Sequence, residues 1–391
     1  MIKLSVCILA KNEENNILDC INSVKSFADE IIVVDNGSTD RTSIIAKSLG
    51  AKVIFLDKFT EAQMRNRYLE EAKYDWTFAI DADERGTEIF GKLLKEKLST
   101  VNDKTLALKV PINNYFGSGK WANFLVYRVI KTKSNIYYTE GDIHPSIVPS
   151  IIRANSKIEV VPAEIHHLDA LIKGRSFNKR SVYTTKLKNT IDKTTDLIEK
   201  CRLTVYLGIE YTSKKDYITA KQHYEYVIKK LPNHAHTNFA RLFLIQNYIL
   251  MNNILLAKEE LQTLIGNSNK EVLWNEDNNY VREKMAEQNN LEDDILQRCL
   301  ILFTEISYQE GNYLEAIFWC KNALNMWPFL SHHYINLLAL TKDKNDKKEL
   351  YVKALEINPF LKEKLILKQV DEPNLYAQQT SVISAVNLNE L

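Results

Sequence analysis

The chain has 391 residues, 45% hydrophobic and 26% charged, the balance of a globular protein long enough for two or three domains. Lys plus Arg (51) nearly cancels Asp plus Glu (50), which excludes a general field for nucleic acid or anionic lipid. Five widely spaced cysteines, Cys7, Cys20, Cys201, Cys299 and Cys320, contain no Cys-x-x-Cys pair, so a disulfide scaffold or zinc site is not expected and a reducing cytoplasm is. Met1 runs straight into a strand pattern without the basic segment, apolar core and cleavage site of a signal peptide. The most apolar later stretch, Leu242 to Met251, is broken by Gln246, Asn247 and Tyr248 and falls short of the roughly 20 residues a bilayer requires. Any membrane contact is expected to be peripheral.

In chain order, Leu4 to Leu9, Ile31 to Val34, Val53 to Leu56 and Phe78 to Ile80 read as strands with amphipathic segments between them. That alternation predicts right-handed βαβ units and a mostly parallel, Rossmann-like α/β sheet. Asn36-Gly37-Ser38-Thr39-Asp40 predicts a tight turn into a helix, with Ser38 or Asp40 capping its free N–H groups. The fourth strand, within Trp76 to Glu84, stops on Asp81 and Asp83 with one small residue, Ala82, between them. Carboxylates at a strand's carboxyl end face the crevice where open α/β sheets bind ligands. There they suit Mg²⁺ or Mn²⁺ shared with the phosphates of a nucleotide substrate. From Thr105 to Val161 the texture is β-rich and broken by glycine and proline, the expected irregular half of the same domain.

Beyond Gly174 long helical patterns take over. Leu207, Gly208, Tyr211, Tyr217, Ala220, Tyr224, Val227 and Pro232 match the 34-residue tetratricopeptide unit, a pair of antiparallel helices. A second unit recurs in Gly311, Tyr313, Ala316, Ala323 and Pro328, and a truncated one in Tyr351, Ala354, Leu355 and Pro359. Tyr248, Ala257, Leu261 and Leu264 suggest a degenerate copy between them. Such units bury their apolar faces only by stacking, which predicts a short all-α solenoid. The expected layout is an α/β domain over 1–175, a helical linker over 176–200, helical repeats over 201–370 and a polar tail over 371–391.

Ser5 to Glu14, Glu30 to Asp40, Ala62-Gln63-Met64-Arg65-Asn66 and Trp76 to Glu84 together resemble the family 2 glycosyltransferases, inverting enzymes with a GT-A fold. The pieces stand in that family's order. The resemblance implies transfer of a hexose or N-acetylhexosamine from a UDP-sugar, with Mn²⁺ or Mg²⁺ as cofactor. It implies a nucleotide-sugar site of Ala10, Asn12, Glu13, Asp35, Arg65, Asp81, Ala82 and Asp83. In it Asp35 accepts a hydrogen bond from uracil, a charge-assisted contact that favours uracil over cytosine. Arg65 offers a planar fork to the diphosphate or base. Asp83 is the expected direct metal ligand, and Asp81 the contact to ribose or to a water in the metal's shell. His166 and His167 follow the run Ile158 to Val161, where the family often places a histidine near diphosphate or metal, and His166 joins the Asp pair as metal candidate.

An inverting reaction also needs a base opposite the leaving diphosphate. Where family members with helical-repeat tails carry a His-Glu pair after a glycine, this chain reads Glu140-Gly141-Asp142-Ile143-His144-Pro145. Proline replaces the acid, so Asp142 and Glu140 stand as substitutes beside His144. Gly117-Ser118-Gly119-Lys120-Trp121 lacks the first glycine and the Ser/Thr of a P-loop and is read instead as an acceptor loop, with Trp121 free to stack on a sugar.

The pairing of catalytic and helical regions resembles bacterial enzymes that glycosylate peptides, including the S- and O-glycosyltransferases of glycosylated bacteriocins. It also resembles enzymes of cell-surface polysaccharide and lipo-oligosaccharide assembly. A concave repeat surface suits an extended peptide, protein or saccharide acceptor, and its aromatic residues equally suit homo-oligomer formation. The rival of another class is a non-catalytic repeat scaffold with a decayed transferase domain. Intact Asp35, Asp81 and Asp83 speak against it.

Overall fold

The computed structural model describes residues 2–117, 120–139, 145–168, 171, 175–232, 234–265 and 293–362. The chain divides into two compact units, one of Met1–Tyr115 and Asn123–Asp169, the other of Phe116–Ala122 and Ala170–Leu391.

In the first unit the order is β1 (Leu4–Ala10), α1 (Ile17–Val24), β2 (Glu30–Asn36), α2 (Thr42–Ser48), β3 (Lys52–Leu56), α3 (Glu61–Glu71) and β4 (Trp76–Asp81). Then come β5 (Glu84–Arg85), α4 (Glu88–Ser99), β6 (Thr105–Gly117), β7 (Lys120–Lys131), α5 (Val148–Arg153), β8 (Lys157–Val160) and β9 (Ile165–His167), the end of β6 from Phe116 and the start of β7 to Ala122 being counted with the second unit. The described strands form one nine-stranded sheet in the order β3-β2-β1-β4-β7-β6-β9-β5, with β8 also on β6. The first four strands pair in parallel, as the alternating pattern predicts. β7 joins β4 antiparallel. β1 and β4 are buried along almost their whole length because helices cover both faces, which is why they read as unbroken apolar runs.

The region expected to be irregular differs. Thr105–Gly117 and Lys120–Lys131 are strands of 13 and 12 residues. Proline and glycine lie mainly at their ends and beyond, where they interrupt the sheet rather than the strands. Aromatic Phe27, Phe78 and Phe90 centre one core, with ring centroids 5.0 to 6.4 Å apart. Tyr68, Met64 and Ile130 lie in the core on the other face.

The second unit is helical: α6 (Arg175–Lys193), α7 (Leu197–Ser213), α8 (Tyr217–Lys230), α9 (Ala235–Leu250) and α10 (Ile254–Ile265), then α11 (Asp293–Gln309), α12 (Tyr313–Met326), α13 (Ser331–Leu340) and α14 (Lys344–Ile357). Asp196, Asp216, Asn312 and Asp343 each cap a helix by accepting a backbone N–H. Short turns join α7 to α8, α9 to α10, α11 to α12 and α13 to α14 as packed hairpins. Gly208 fits because a Cβ there would stand 2.5 Å from the Tyr224 ring, so the α7–α8 approach leaves no room for a side chain.

Trp121 corrects one expectation. It belongs to this second unit, is 4% exposed and lies 5.8 Å from the His332 ring, so its indole is not open to a sugar. All five cysteines are buried free thiols. No helix among the described residues is long and apolar enough to cross a membrane.

Candidate functional site

Parallel register sets the carboxyl ends of β2, β1 and β4 side by side, with Ala10 opposite Asp35 and Leu9 opposite Asp81. The loops that follow are tied across the gap. Asn12, in a left-handed conformation at φ 55°, donates its backbone N–H to Ser38 Oγ at 2.8 Å, and its Oδ1 accepts from Thr39 N at 2.8 Å. Glu13 N donates to Thr42 Oγ1 at 2.7 Å and Glu14 N to Asp40 Oδ2 at 3.1 Å. Of the two capping candidates, Asp40 serves α2 by accepting from Thr42 N at 3.0 Å, whereas Ser38 serves the neighbouring loop. Gly37 makes the turn at φ 68°.

Asp35 is fully buried, and Oδ1 accepts from Ser38 N at 2.8 Å while Oδ2 accepts from the Ser43 hydroxyl. It therefore builds the turn whatever else it binds. Each carboxylate oxygen keeps a second lone pair for a ring N–H.

Asp81 lies between two guanidinium groups. Arg65 Nη2, on α3, donates to Oδ1 at 2.9 Å, and Arg128 Nη2, on β7, donates to Oδ2 at 2.7 Å. Burial alone would raise the Asp81 carboxyl, but Arg128 and Arg65 outweigh it and hold it at about 2. Arg128 Nη2 also reaches Glu84 Oε1 at 2.6 Å, and Glu84 Oε2 accepts from Asp81 N at 2.9 Å. Glu84 is buried more deeply and has one arginine rather than two, so desolvation prevails and its pKa rises. Arg85 closes the turn from behind, donating to Ala82 O at 3.0 Å and Glu84 O at 2.8 Å.

Asp83 faces another partner. Its Oδ1 lies 3.5 Å from His167 Nε2, and its backbone oxygen accepts from Leu168 N at 3.0 Å. His167 Nδ1 lies 2.6 Å from Asn114 Oδ1. An amide oxygen only accepts, so a neutral ring carries its proton on Nδ1 and keeps the Nε2 lone pair toward Asp83. A carboxylate and an imidazole are donor types that divalent ions take, but among the described residues no group of three or more His, Cys, Asp or Glu is placed to hold a metal ion. His166, the expected metal candidate, points to the opposite face of β9. It is fully buried, with Nδ1 2.9 Å from Tyr115 OH, and burial pushes its pKa down to about 3.

Glu140, Asp142 and His144, the candidate bases, lie outside the described residues. Their approach is described: Asn66, next to Arg65, holds both Tyr138 N and Tyr138 O at 2.7 and 2.8 Å, and Thr139 N donates to Ser146 O at 2.9 Å.

Sequence reasoning missed Arg128, Glu84 and Asn114. Glu84 stood three residues after Asp81 with the spacing of a backbone cap. Arg128 and Asn114 gave no local signal, since strand pairing alone brings them to the site.

Residues 5–99 match the family model described as Glycosyl transferase family 2. An uncharacterized glycosyltransferase of Rickettsia bellii is 49% identical over 82 residues, 21% of this chain and 28% of that protein. The lipopolysaccharide core biosynthesis glycosyltransferase LpsC of Rhizobium meliloti is 29% identical over 192 residues, 46% of this chain and 69% of its own. A solved structure of glucosyl-3-phosphoglycerate synthase from Mycobacterium tuberculosis, in complex with Mn²⁺, UDP-glucose and phosphoglyceric acid, is 28% identical, with TM-score 0.26 over 28% of this chain and 44% of its own. The chain spans less than a third of the length of the Rickettsia relative.

Proposed function

We propose that this chain, whose residues 5–99 form a family 2 glycosyl transferase domain, is an inverting, metal-dependent glycosyltransferase that uses a UDP-hexose or UDP-N-acetylhexosamine. The observation that carries the reading is Asp83 Oδ1 beside His167 Nε2, with Asn114 fixing the imidazole tautomer, on the sheet edge that also holds Asp35 and Asp81.

Each residue then has one task. Asp35 accepts the uracil N–H from a turn already formed by Ser38 and Ser43. Asp81 meets the ribose or a water, its orientation set by Arg65 and Arg128. Asp83 and His167 are the residues that would hold a divalent ion, and when bound it would supply Lewis-acid stabilisation of charge on a departing diphosphate. Attack from the opposite side of the sugar requires a base, and Asp142, Glu140 and His144 remain its candidates. Little covalent work falls to the protein, so positioning and charge stabilisation supply the catalysis.

Two acceptor classes have support. The similarity to LpsC covers 69% of that lipopolysaccharide-core enzyme and favours a saccharide acceptor. The helix hairpins of the second unit favour an extended polypeptide.

A screen of UDP-sugars with Mn²⁺, read as UDP release, tests the donor half, because transferases leak sugar to water. UDP release that exceeds that of an Asp83→Asn control is expected. No release from any UDP-sugar, with or without lysate acceptors, would leave the decayed scaffold as the better reading.

A further inference from the structure

We propose that Lys188, Lys214 and His223, gathered around the Tyr211 ring in the helical unit, bind a phosphate group. The cluster lies on α6, α7 and α8, whereas Asp35, Asp81 and Asp83 belong to the first unit, so this step does not rest on the glycosyl-transfer reading.

Three helices bring their side chains to one ring. Lys188, on α6, places Nζ 5.4 Å from the Tyr211 centroid, and Lys214, the residue that follows α7, places its own 6.0 Å from the same point. His223, on α8, stacks on Tyr211 with centroids 5.3 Å apart and planes inclined by 21°. Lys214 is held in place, since Nζ donates to Thr184 Oγ1 at 2.9 Å, back on α6. Both lysines are exposed and open to a ligand, while Tyr211 and His223 are half-buried.

Two ammonium groups on one tyrosine repel each other, and a cation–π contact at an exposed site compensates little. Elsewhere in the same unit lysines take an acid: Lys221 lies 3.5 Å from Glu225 and Lys258 2.6 Å from Glu310. Among the described residues neither Lys188 nor Lys214 has such a partner. Asp216, the acid felt at His223, already caps α8 by accepting from Thr219 N at 3.1 Å. Lys215, next in the turn, adds a further exposed cation. The chain thus leaves this positive charge for an outside anion. An ammonium meets phosphate as a point charge with three donors and lacks the planar fork that matches a carboxylate.

His223 supplies the third donor when protonated. The groups around it are Lys188 on α6, Tyr211 and Lys214 at the end of α7 and Asp216 at the head of α8. Burial and then Lys188 lower its pKa, and Asp216 opposes them. A bound phosphate acts against Lys188 and returns the proton, so affinity should rise as pH falls through the imidazole range.

The test is titration of the full chain with inorganic phosphate, followed through the His223 imidazole resonances, which His223→Gln identifies by their loss. A saturable shift is expected, with the His223 titration moved to higher pH. Lys188→Gln and Lys214→Gln should each weaken binding about 10-fold, the lower end of what one charged hydrogen bond contributes, and the double variant should abolish it. Acetate should have little effect. Both side chains are exposed, so the variants should melt as the wild type does. Vesicles of phosphatidylcholine with and without phosphatidic acid distinguish the source: co-sedimentation that needs phosphatidic acid and fails in the double variant assigns a lipid headgroup. Phosphate binding without co-sedimentation assigns a soluble phosphate. Neither phosphate nor vesicle binding, equal affinity in the double variant, or acetate binding as tightly as phosphate would overturn the proposal.

Discussion

His166 and His167 are consecutive in β9 and serve opposite faces of the sheet: Nδ1 of the first meets Tyr115 OH at 2.9 Å, while Nε2 of the second lies 3.5 Å from Asp83 Oδ1. Alternation along a strand makes one imidazole an interior anchor and leaves the other for the site. Asn114→Leu removes the acceptor for His167 Nδ1–H, so affinity for Mn²⁺ in the presence of UDP should fall roughly 10- to 100-fold with the melting temperature little changed. Asn114→Asp keeps an acceptor and should retain most of it. Isothermal titration reads the difference, and equal affinities for wild type and the leucine variant would remove Asn114 from the site.

Asp83→Asn should reduce sugar transfer by several kcal/mol in barrier height, about three orders of magnitude or more, because the ion loses its charged protein ligand. The turn itself should persist, since Leu168 N bonds the Asp83 backbone oxygen rather than its side chain. Near-normal turnover with Mn²⁺ or Mg²⁺ by this variant would refute the metal assignment.

Asp35→Ala should have two separable effects. Loss of the uracil contact should weaken UDP binding by roughly 1.5–3 kcal/mol, the size of a charged hydrogen bond. Loss of the bonds to Ser38 N and Ser43 Oγ should also lower stability by ~1–3 kcal/mol. Calorimetry on UDP and thermal melts without ligand report the two independently. A lowered melting point with unchanged UDP affinity would confine Asp35 to the turn.

The helical unit should be most stable near pH 6.5. Burial holds His332 at about 4, and burial with the neighbouring imidazole holds His333 below its ordinary value. Unfolding therefore takes up protons below pH 6.5, and stability is lost as pH falls toward 4. Burial raises Glu305 to about 8, so unfolding releases its proton above pH 4.5 and stability is lost as pH rises toward 8. His236, held at about 4, and His223, also lowered by burial, act in the same sense, so between 4.5 and 6.5 the imidazoles outweigh the one carboxyl; above 6.5 the Glu305 carboxyl contributes a decline of ~1.4 kcal/mol per pH unit. Melting curves should show Glu305→Gln abolishing the decline between pH 6.5 and 8, and an unchanged decline would dismiss Glu305 as its cause.

Gly208→Ala should destabilise the α7–α8 hairpin by ~1–3 kcal/mol through overpacking against the Tyr224 ring. Gly311, where an added Cβ meets nothing within 4 Å but φ is 76°, should respond through backbone strain instead. Pairing Gly208→Ala with Tyr224→Leu should recover part of the loss if the clash is the cause, and denaturant melts measure it.

Those elements whose burial is uniform are legible in the sequence. Leu4 to Ala10 and Trp76 to Asp81 are covered on both faces and show it as unbroken apolar runs; α7 and α8 show it as spaced small and aromatic residues. Asp35, Asp81 and Asp83 were legible because each ends such a run. Arg128 was not, since it stands 47 residues from Asp81 and reaches it only through the antiparallel pairing of β7 with β4. The choice between His166 and His167 depended on a register that a single residue's shift would invert. Glycine and proline made β6 and β7 look irregular, although they fall mainly beyond the paired stretch.

Arg65 and Asn66 leave one turn of α3 in two directions, the first to the Asp81 carboxylate and the second to the backbone of Tyr138. One helix thus ties the strand end at Asp81 to the backbone of Tyr138. Under the proposed sugar transfer, a substitution that shifts α3 along its axis is expected to move both contacts together and to lower turnover without removing any side chain of the site.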